Sequence, residues 1–144
     1  MLLWPHQQNA INSKKNSKKC LIIKWCGTGK TRVFTKSILD DKQHVNVIVF
    51  PSLGLINQYI KDYINIPDFI KYWKTYAILS FCSEDEKKHT YKQIKSSTNT
   101  KTLLNILVKS QTQKVLILVT YQSFEKFSET IKDNEIRINR LYYD

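Results

Sequence analysis

Five side chains and two bare backbone positions carry the chemistry of this sequence: Cys26-Gly27-Thr28-Gly29-Lys30-Thr31-Arg32. Gly27 and Gly29 leave out the Cβ atoms that would block the backbone, so successive N–H groups can turn inward toward an anion. A helix opening at Lys30-Thr31 adds unpaired N–H groups and the positive end of its dipole. Lys30 can reach the β and γ oxygens of a triphosphate, and the Thr31 hydroxyl can ligate Mg²⁺. The general signature G-x-x-x-x-G-K-[ST] wants glycine where this chain has Lys24, so the reading leans on context. That context is a short apolar strand at 20–25 before the turn and a helix-compatible run at 32–39 after it.

The remaining elements must position this loop. Pro5 suits the first turn of a helix in which Ala10 and Ile11 offer a buried side, and residues 12–19 are a polar helix end and loop. Residues 20–25 are apolar on both faces, as in a central parallel strand. Residues 45–50 form a second β-rich run, ended by Pro51-Ser52, where Ser52 can cap a helix over 53–64. Leu55, Ile56, Tyr59, Ile60 and Tyr63 fall on one side of that helix. Residues 66–73 are aromatic, interrupted by Pro67, and receive no assignment. A third strand is expected at 76–81, an acidic turn at 82–86, and a polar stretch with a weak helix at 87–100. A short leucine-faced helix follows at 102–109. Residues 114–120 are the clearest buried strand of the second half, followed by a helix from Tyr121 capped by Ser123. Residues 136–144 turn apolar and stop on Asp144. A carboxylate at the carboxyl tip of a strand is where an α/β nucleotide site places its Mg²⁺-linked acid. Alternation of strand and helix implies a parallel sheet.

The 144 residues suit one domain, 1–144, with 42% hydrophobic residues and only three glycines and three prolines favouring a packed fold. Twenty-three Lys+Arg against twelve Asp+Glu give a formal charge of +11, which suits a polyanionic partner, nucleic acid first, or else simply a solvated surface. Cys20, Cys26 and Cys82 are odd in number and lack C-x-x-C spacing, so neither a disulfide framework nor a zinc site is indicated. No apolar run approaches the length of a signal peptide core or a membrane span. The expectation is a soluble intracellular protein, cytoplasmic, nuclear or viral, with no membrane partner.

Taken together, these segments resemble the first RecA-like domain of a superfamily 2 helicase, of the DEAD/DEAH-box-like and restriction-type branch often found in large DNA viruses and phages. Trp4-Pro5-His6-Gln7-Gln8-Asn9-Ala10-Ile11 resembles that branch's glutamine motif, which makes Gln7 the residue expected to recognise adenine. Cys26 to Thr31 resembles helicase motif I, in which the position of Lys24 is usually alanine. The segment from Val47 through Pro51-Ser52-Leu53 to Gln58 is similar to motif Ia, which lies along the bound strand's backbone. Val119-Thr120-Tyr121-Gln122-Ser123 resembles the later threonine-tyrosine-x-serine motif, also on the nucleic-acid side. Leu141-Tyr142-Tyr143-Asp144 is similar to the strand into motif II, whose Asp-Glu-x-His box would begin at Asp144. Singly, Pro51-Ser52 and Thr120 to Ser123 are ordinary strand-to-helix turns; their order along the chain is what carries the resemblance.

The resemblance implies a three-layer α/β RecA-like P-loop domain with a mainly parallel central sheet, binding ATP and Mg²⁺. Gln7, Cys26, Gly27, Thr28, Gly29, Lys30, Thr31 and Arg32 would contact nucleotide. Lys30 and Asp144 would be catalytic, and Thr31 and Asp144 would hold the metal. Pro51, Ser52, Leu53, Thr120, Tyr121, Gln122 and Ser123 would meet nucleic acid, DNA ahead of RNA. Hydrolysis in the family also needs the glutamate after Asp144 and arginines from a second RecA-like domain. Neither is present in these residues, so the chain is expected to be a fragment, incomplete at its C-terminus, that binds nucleotide without coupling hydrolysis to strand movement. Two other classes stay open: a P-loop small-molecule kinase, and a non-catalytic nucleic-acid-binding module.

Overall fold

The computed structural model describes residues 2–14, 27–40, 44–82 and 94–144. The expected strand at 20–25, Cys26, and the turn at 83–86 lie outside the described residues. The chain divides into two compact units, Met1–Asp41 and Lys42–Asp144.

The first unit contributes two helices, α1 (Pro5–Lys14) and α2 (Lys30–Asp40), which pack together. Pro5 opens α1 as expected, since its missing N–H and fixed φ suit a first helical turn. Ile11 is buried, and α2 buries Val33, Thr35, Ser37 and Ile38. Thr35 satisfies its buried hydroxyl by donating to the Thr31 carbonyl at 2.8 Å. Lys36 and Asp40 pair across one turn of the exposed face.

The second unit is built on a five-stranded, wholly parallel sheet of β1 (Val45–Phe50), β2 (Tyr76–Phe81), β3 (Lys95–Ser96), β4 (Lys114–Thr120) and β5 (Arg140–Tyr143). Their spatial order is β3-β2-β4-β1-β5. β1, β2 and β4 have the bounds read from the sequence, because each is an apolar run buried on both faces. Alternate residues serve opposite sides. Val45, Val47, Val49, Ala77, Leu79, Phe81, Val115, Ile117 and Val119 pack with Leu103, Ile106, Leu107 and Phe127 from α5 (Thr100–Val108) and α6 (Tyr121–Asp133). Phe50, of the other parity, meets α3 (Leu53–Tyr59), its ring lying 5.4 Å from that of Tyr59. Helices on both sides of a parallel sheet make the three-layer α/β architecture expected of a RecA-like domain.

Several local expectations are corrected. The helix at 53–64 is α-helical only to Tyr59 and then widens into a π-helical turn, Ile60–Ile64. Residues 66–73, left without assignment, contain α4 (Pro67–Trp73): Pro67 begins that helix rather than interrupting it, and Ile66 before it is extended. Of the polar stretch expected at 87–100, residues 87–93 lie outside the described residues, and Lys95–Ser96 form the short strand β3, paired with Leu79 and Ser80. The helix at 102–109 begins two residues earlier, where Asn99 caps it by accepting from the Lys101 N–H at 2.8 Å. Thr120, not Ser123, caps α6.

The final strand is shorter than expected, because the end of α6 uses up residues 134–139. Glu135 takes φ 51°, its N–H donates to the Lys132 carbonyl at 3.1 Å, and the Ile136 N–H donates to the Ile131 carbonyl at 3.0 Å. These paired bonds form a Schellman closure, with Ile131 and Ile136 both packed on the core. Asn139 then fixes the start of β5: its Oδ1 accepts from the Val45 N–H at 2.9 Å, and its own N–H donates to the Val45 carbonyl at 3.1 Å.

Candidate nucleotide site and nucleic-acid edge

In the first unit residues 27–29, just before α2, bend through two left-handed glycines. Gly27 has φ 77° and Gly29 φ 76°, conformations that cost a side-chain-bearing residue about 1–2 kcal/mol. Lys30 and Thr31 follow at once as the first residues of α2, with the Val33 N–H closing the first turn onto the Gly29 carbonyl at 3.2 Å. Lys30 and Thr31 are both half-buried. This is the local geometry that the glycines were expected to allow, a bent backbone running into a helix N-terminus headed by a cation and a hydroxyl.

The two glycines differ in surroundings. A Cβ at Gly27 would meet nothing within 4 Å, whereas one at Gly29 would lie 2.6 Å from Nε2 of Gln7. Gln7 is 4% exposed, with both ends of its amide engaged. Its Nε2 donates to the Thr28 carbonyl at 3.0 Å, and its Oε1 accepts from the Trp4 N–H at 3.0 Å. Sequence reading placed Gln7 near the loop but gave Trp4 no role of its own. The Trp4 ring is exposed and stands edge-on to His6, with centroids 5.6 Å apart. Arg32 directs its guanidinium to the Leu2 carbonyl at 2.7 Å, tying the chain before α1 to α2.

In the second unit the expected nucleic-acid segments and Asp144 gather at the carboxyl ends of three neighbouring strands. Phe50 pairs with Thr120, and Val49 with Tyr143, so Pro51, Tyr121 and Asp144 each leave the sheet at the same edge. This is the edge at which open parallel sheets bind ligands. The Asp144 N–H donates to the Val49 carbonyl at 3.0 Å, and the Tyr121 hydroxyl donates to the Asp144 carbonyl at 2.8 Å. Ser52 accepts from the Leu55 N–H at 3.4 Å as the cap of α3. Pro51, Ser52, Tyr121 and Gln122 are exposed, and Leu53 is half-buried. Thr120 and Ser123 are buried against each other, Thr120 Oγ1 donating to Ser123 Oγ at 3.2 Å and accepting from the Ser123 N–H at 3.3 Å. Those two hydroxyls hold the turn, and Tyr121 and Gln122 are what it displays.

The model of the family described as "Type III restriction enzyme, res subunit" matches residues 1–142. The chain belongs to that family. Membership makes this res-type chain a superfamily 2 helicase-like ATP-binding domain, in agreement with the order of its motifs. Among solved structures it is similar to that of a nuclease-deletion mutant of the Type ISP restriction-modification enzyme LlaGI in complex with a DNA substrate mimic. The TM-score is 0.74 at 20% identity, over 100% of this chain and 15% of the LlaGI chain. At that identity the likeness concerns the fold. No match is found among curated proteins. Among the described residues no helix is long and apolar enough to cross a membrane, and no group of three or more His, Cys, Asp or Glu residues is placed to hold a metal ion.

Proposed function

We propose that residues 1–144 act as a single RecA-like domain, the nucleotide-binding half of an ATP-dependent nucleic-acid helicase or translocase. The observation that carries this reading is the double glycine bend running directly into Lys30 and Thr31 at the head of α2. Its backbone amides and the Lys30 ammonium offset the charge of the β and γ phosphates. Gln7, Cys26 and Arg32 belong to the same nucleotide site by motif. Mg²⁺ prefers oxygen donors and keeps much of its water, taking one or two protein ligands alongside phosphate oxygens. By motif alone, Thr31 is proposed as the hydroxyl donor and Asp144 as the carboxylate donor. Mg²⁺, when bound, would supply positive charge against the phosphates.

Nucleic acid is proposed to run along the carboxyl edge of the sheet, against Pro51, Ser52 and Leu53 and against Tyr121 and Gln122, with Thr120 and Ser123 holding the latter pair in place. DNA is favoured because the LlaGI structure is a complex with a DNA substrate mimic. Coupling hydrolysis to movement calls on a water-polarising glutamate and on arginines from a second RecA-like domain as partner. The experiment is a pair of binding titrations on this chain, one with a fluorescent ATP analogue and Mg²⁺, one with labelled single-stranded DNA. Saturable binding of both supports the proposal, and DNA binding with no nucleotide affinity would reduce the chain to a nucleic-acid-binding module.

A further inference from the structure

The amino ends of β2, β4 and β1 gather positive charge. Parallel pairing sets Tyr76 beside Lys114 and Val45 beside Val115, so the segments 71–76 and 109–114 and His44 lead into one edge of the sheet, opposite the edge that ends in Pro51, Tyr121 and Asp144. Those segments hold Lys71, Lys74, Lys109 and Lys114 and no Asp or Glu. The opposite edge is the reverse case, since residues 51–55 and 120–124 contain neither Lys nor Arg. Around the amino edge, the π-helical turn brings Asp62 with Lys61, and the end of α6 brings Asp133 and Glu135 with Lys132 and Arg137 among them.

Rings hold two of the four ammonium groups. Lys114 Nζ lies 5.5 Å from the centroid of Tyr76, itself edge-on to Trp73 at 5.0 Å, and Lys71 Nζ lies 5.0 Å from the centroid of Tyr72. A carboxylate would cancel a lysine's charge, whereas a ring attracts it through its quadrupole and leaves the charge in place. Backbone bonds fix the frame: Trp73 Nε1–H donates to the Tyr63 carbonyl at 2.8 Å, and His44 Nδ1 donates to the Ser110 carbonyl at 2.9 Å. Lys71, Lys74 and Lys109 are exposed and, among the described residues, make no ion pair.

We infer that this amino edge is a second nucleic-acid contact, one that takes the phosphate backbone of a duplex without regard to sequence. Ammonium groups neutralise phosphates, and such contacts position a nucleic acid without reading it. A duplex carries one charge per about 1.7 Å of its axis, twice the density of one of its strands, so a fixed group of cations attracts it most. The surface lies within the second unit and depends neither on the nucleotide loop nor on the contact proposed at the carboxyl edge.

The test is fluorescence anisotropy of a labelled mixed-sequence duplex against the full chain across a salt titration, with circular dichroism to confirm folding. Two variants of equal charge are compared with the wild type: Lys71→Gln/Lys74→Gln/Lys109→Gln, and Lys95→Gln/Lys101→Gln/Lys126→Gln, which removes three exposed lysines elsewhere. The first should make the slope of log K against log salt shallower by about 3, and the second should leave it within about 1 of the wild type. Equal losses from both would mean that overall charge alone attracts DNA, and would overturn the inference. So would a loss confined to a labelled single strand, or duplex binding unchanged by the first variant while binding to vesicles rich in phosphatidylserine disappears. Should the first variant fail to fold, the three single substitutions decide, each expected to lower the slope by about 1. Binding of an ATP analogue should be the same in all of these proteins, so its absence counts against the nucleotide loop and not against this edge.

Discussion

The Tyr121 hydroxyl and the Asp144 carbonyl are joined by a 2.8 Å hydrogen bond. It ties the first residue of α6, in the segment proposed to meet nucleic acid, to the residue proposed to help hold Mg²⁺. Tyr121→Phe keeps the ring and deletes the bond. Because the bond is exposed, stability should fall by less than about 1 kcal/mol in urea unfolding. A Mg²⁺ titration of ATP-analogue binding should shift to higher Mg²⁺, while binding without the ion stays as it was. An unshifted titration would mean that Asp144 needs no such anchor.

The two loop glycines should respond differently to alanine. Gly27→Ala meets only the left-handed backbone cost, about 1–2 kcal/mol, because nothing lies within 4 Å of the added methyl. Gly29→Ala meets the same cost and must also displace Gln7 from 2.6 Å. Thermal melts should therefore rank Gly29→Ala well below Gly27→Ala, and triphosphate binding should follow the same order. Equal effects would show that Gln7 moves aside freely.

Helix α6 ends with Glu135 at φ 51°, in the left-handed position that glycine occupies most readily. Glu135→Gly should relieve that strain and stabilise the second unit by about 1 kcal/mol, less the entropy gained by the unfolded chain. Chemical denaturation measures it, and a loss of stability would mean that the Glu135 side chain contributes more than its backbone costs.

Binding of single strands should be sequence-blind and steeply sensitive to salt, given a formal charge of +11. With about four phosphates neutralised, log K should fall against log salt with a slope near −3. A flat titration would reduce the positive charge to a means of keeping the surface soluble.

Much of the fold was legible because burial leaves a mark on composition. Val45 to Phe50 and Val115 to Val119 are nearly unbroken apolar runs, and no other element type suits them at that length. Where pattern is weak, the sequence misled or fell silent. Pro67 reads equally as a break or as a helix start, and only the chain around it decides. Lys95-Ser96 has no strand character and is one because Leu79 and Ser80 pair with it. Thr120 and Ser123 are both good caps three residues apart, so the helix start could be set at either. In the candidate site, glycine spacing announced the bend at 27–29, since few residues tolerate those φ values. The two bonds of Gln7 could not be read, because they depend on a rotamer facing a carbonyl 21 residues away.

The central claim, that the bend into α2 grips the terminal phosphates of ATP, is tested most directly by titrating a fluorescent ATP analogue into the wild-type chain and into Lys30→Ala, with circular dichroism to confirm that both are folded. Saturable binding by the wild type and none by the variant is the predicted result. Equal binding by the two folded proteins would contradict it.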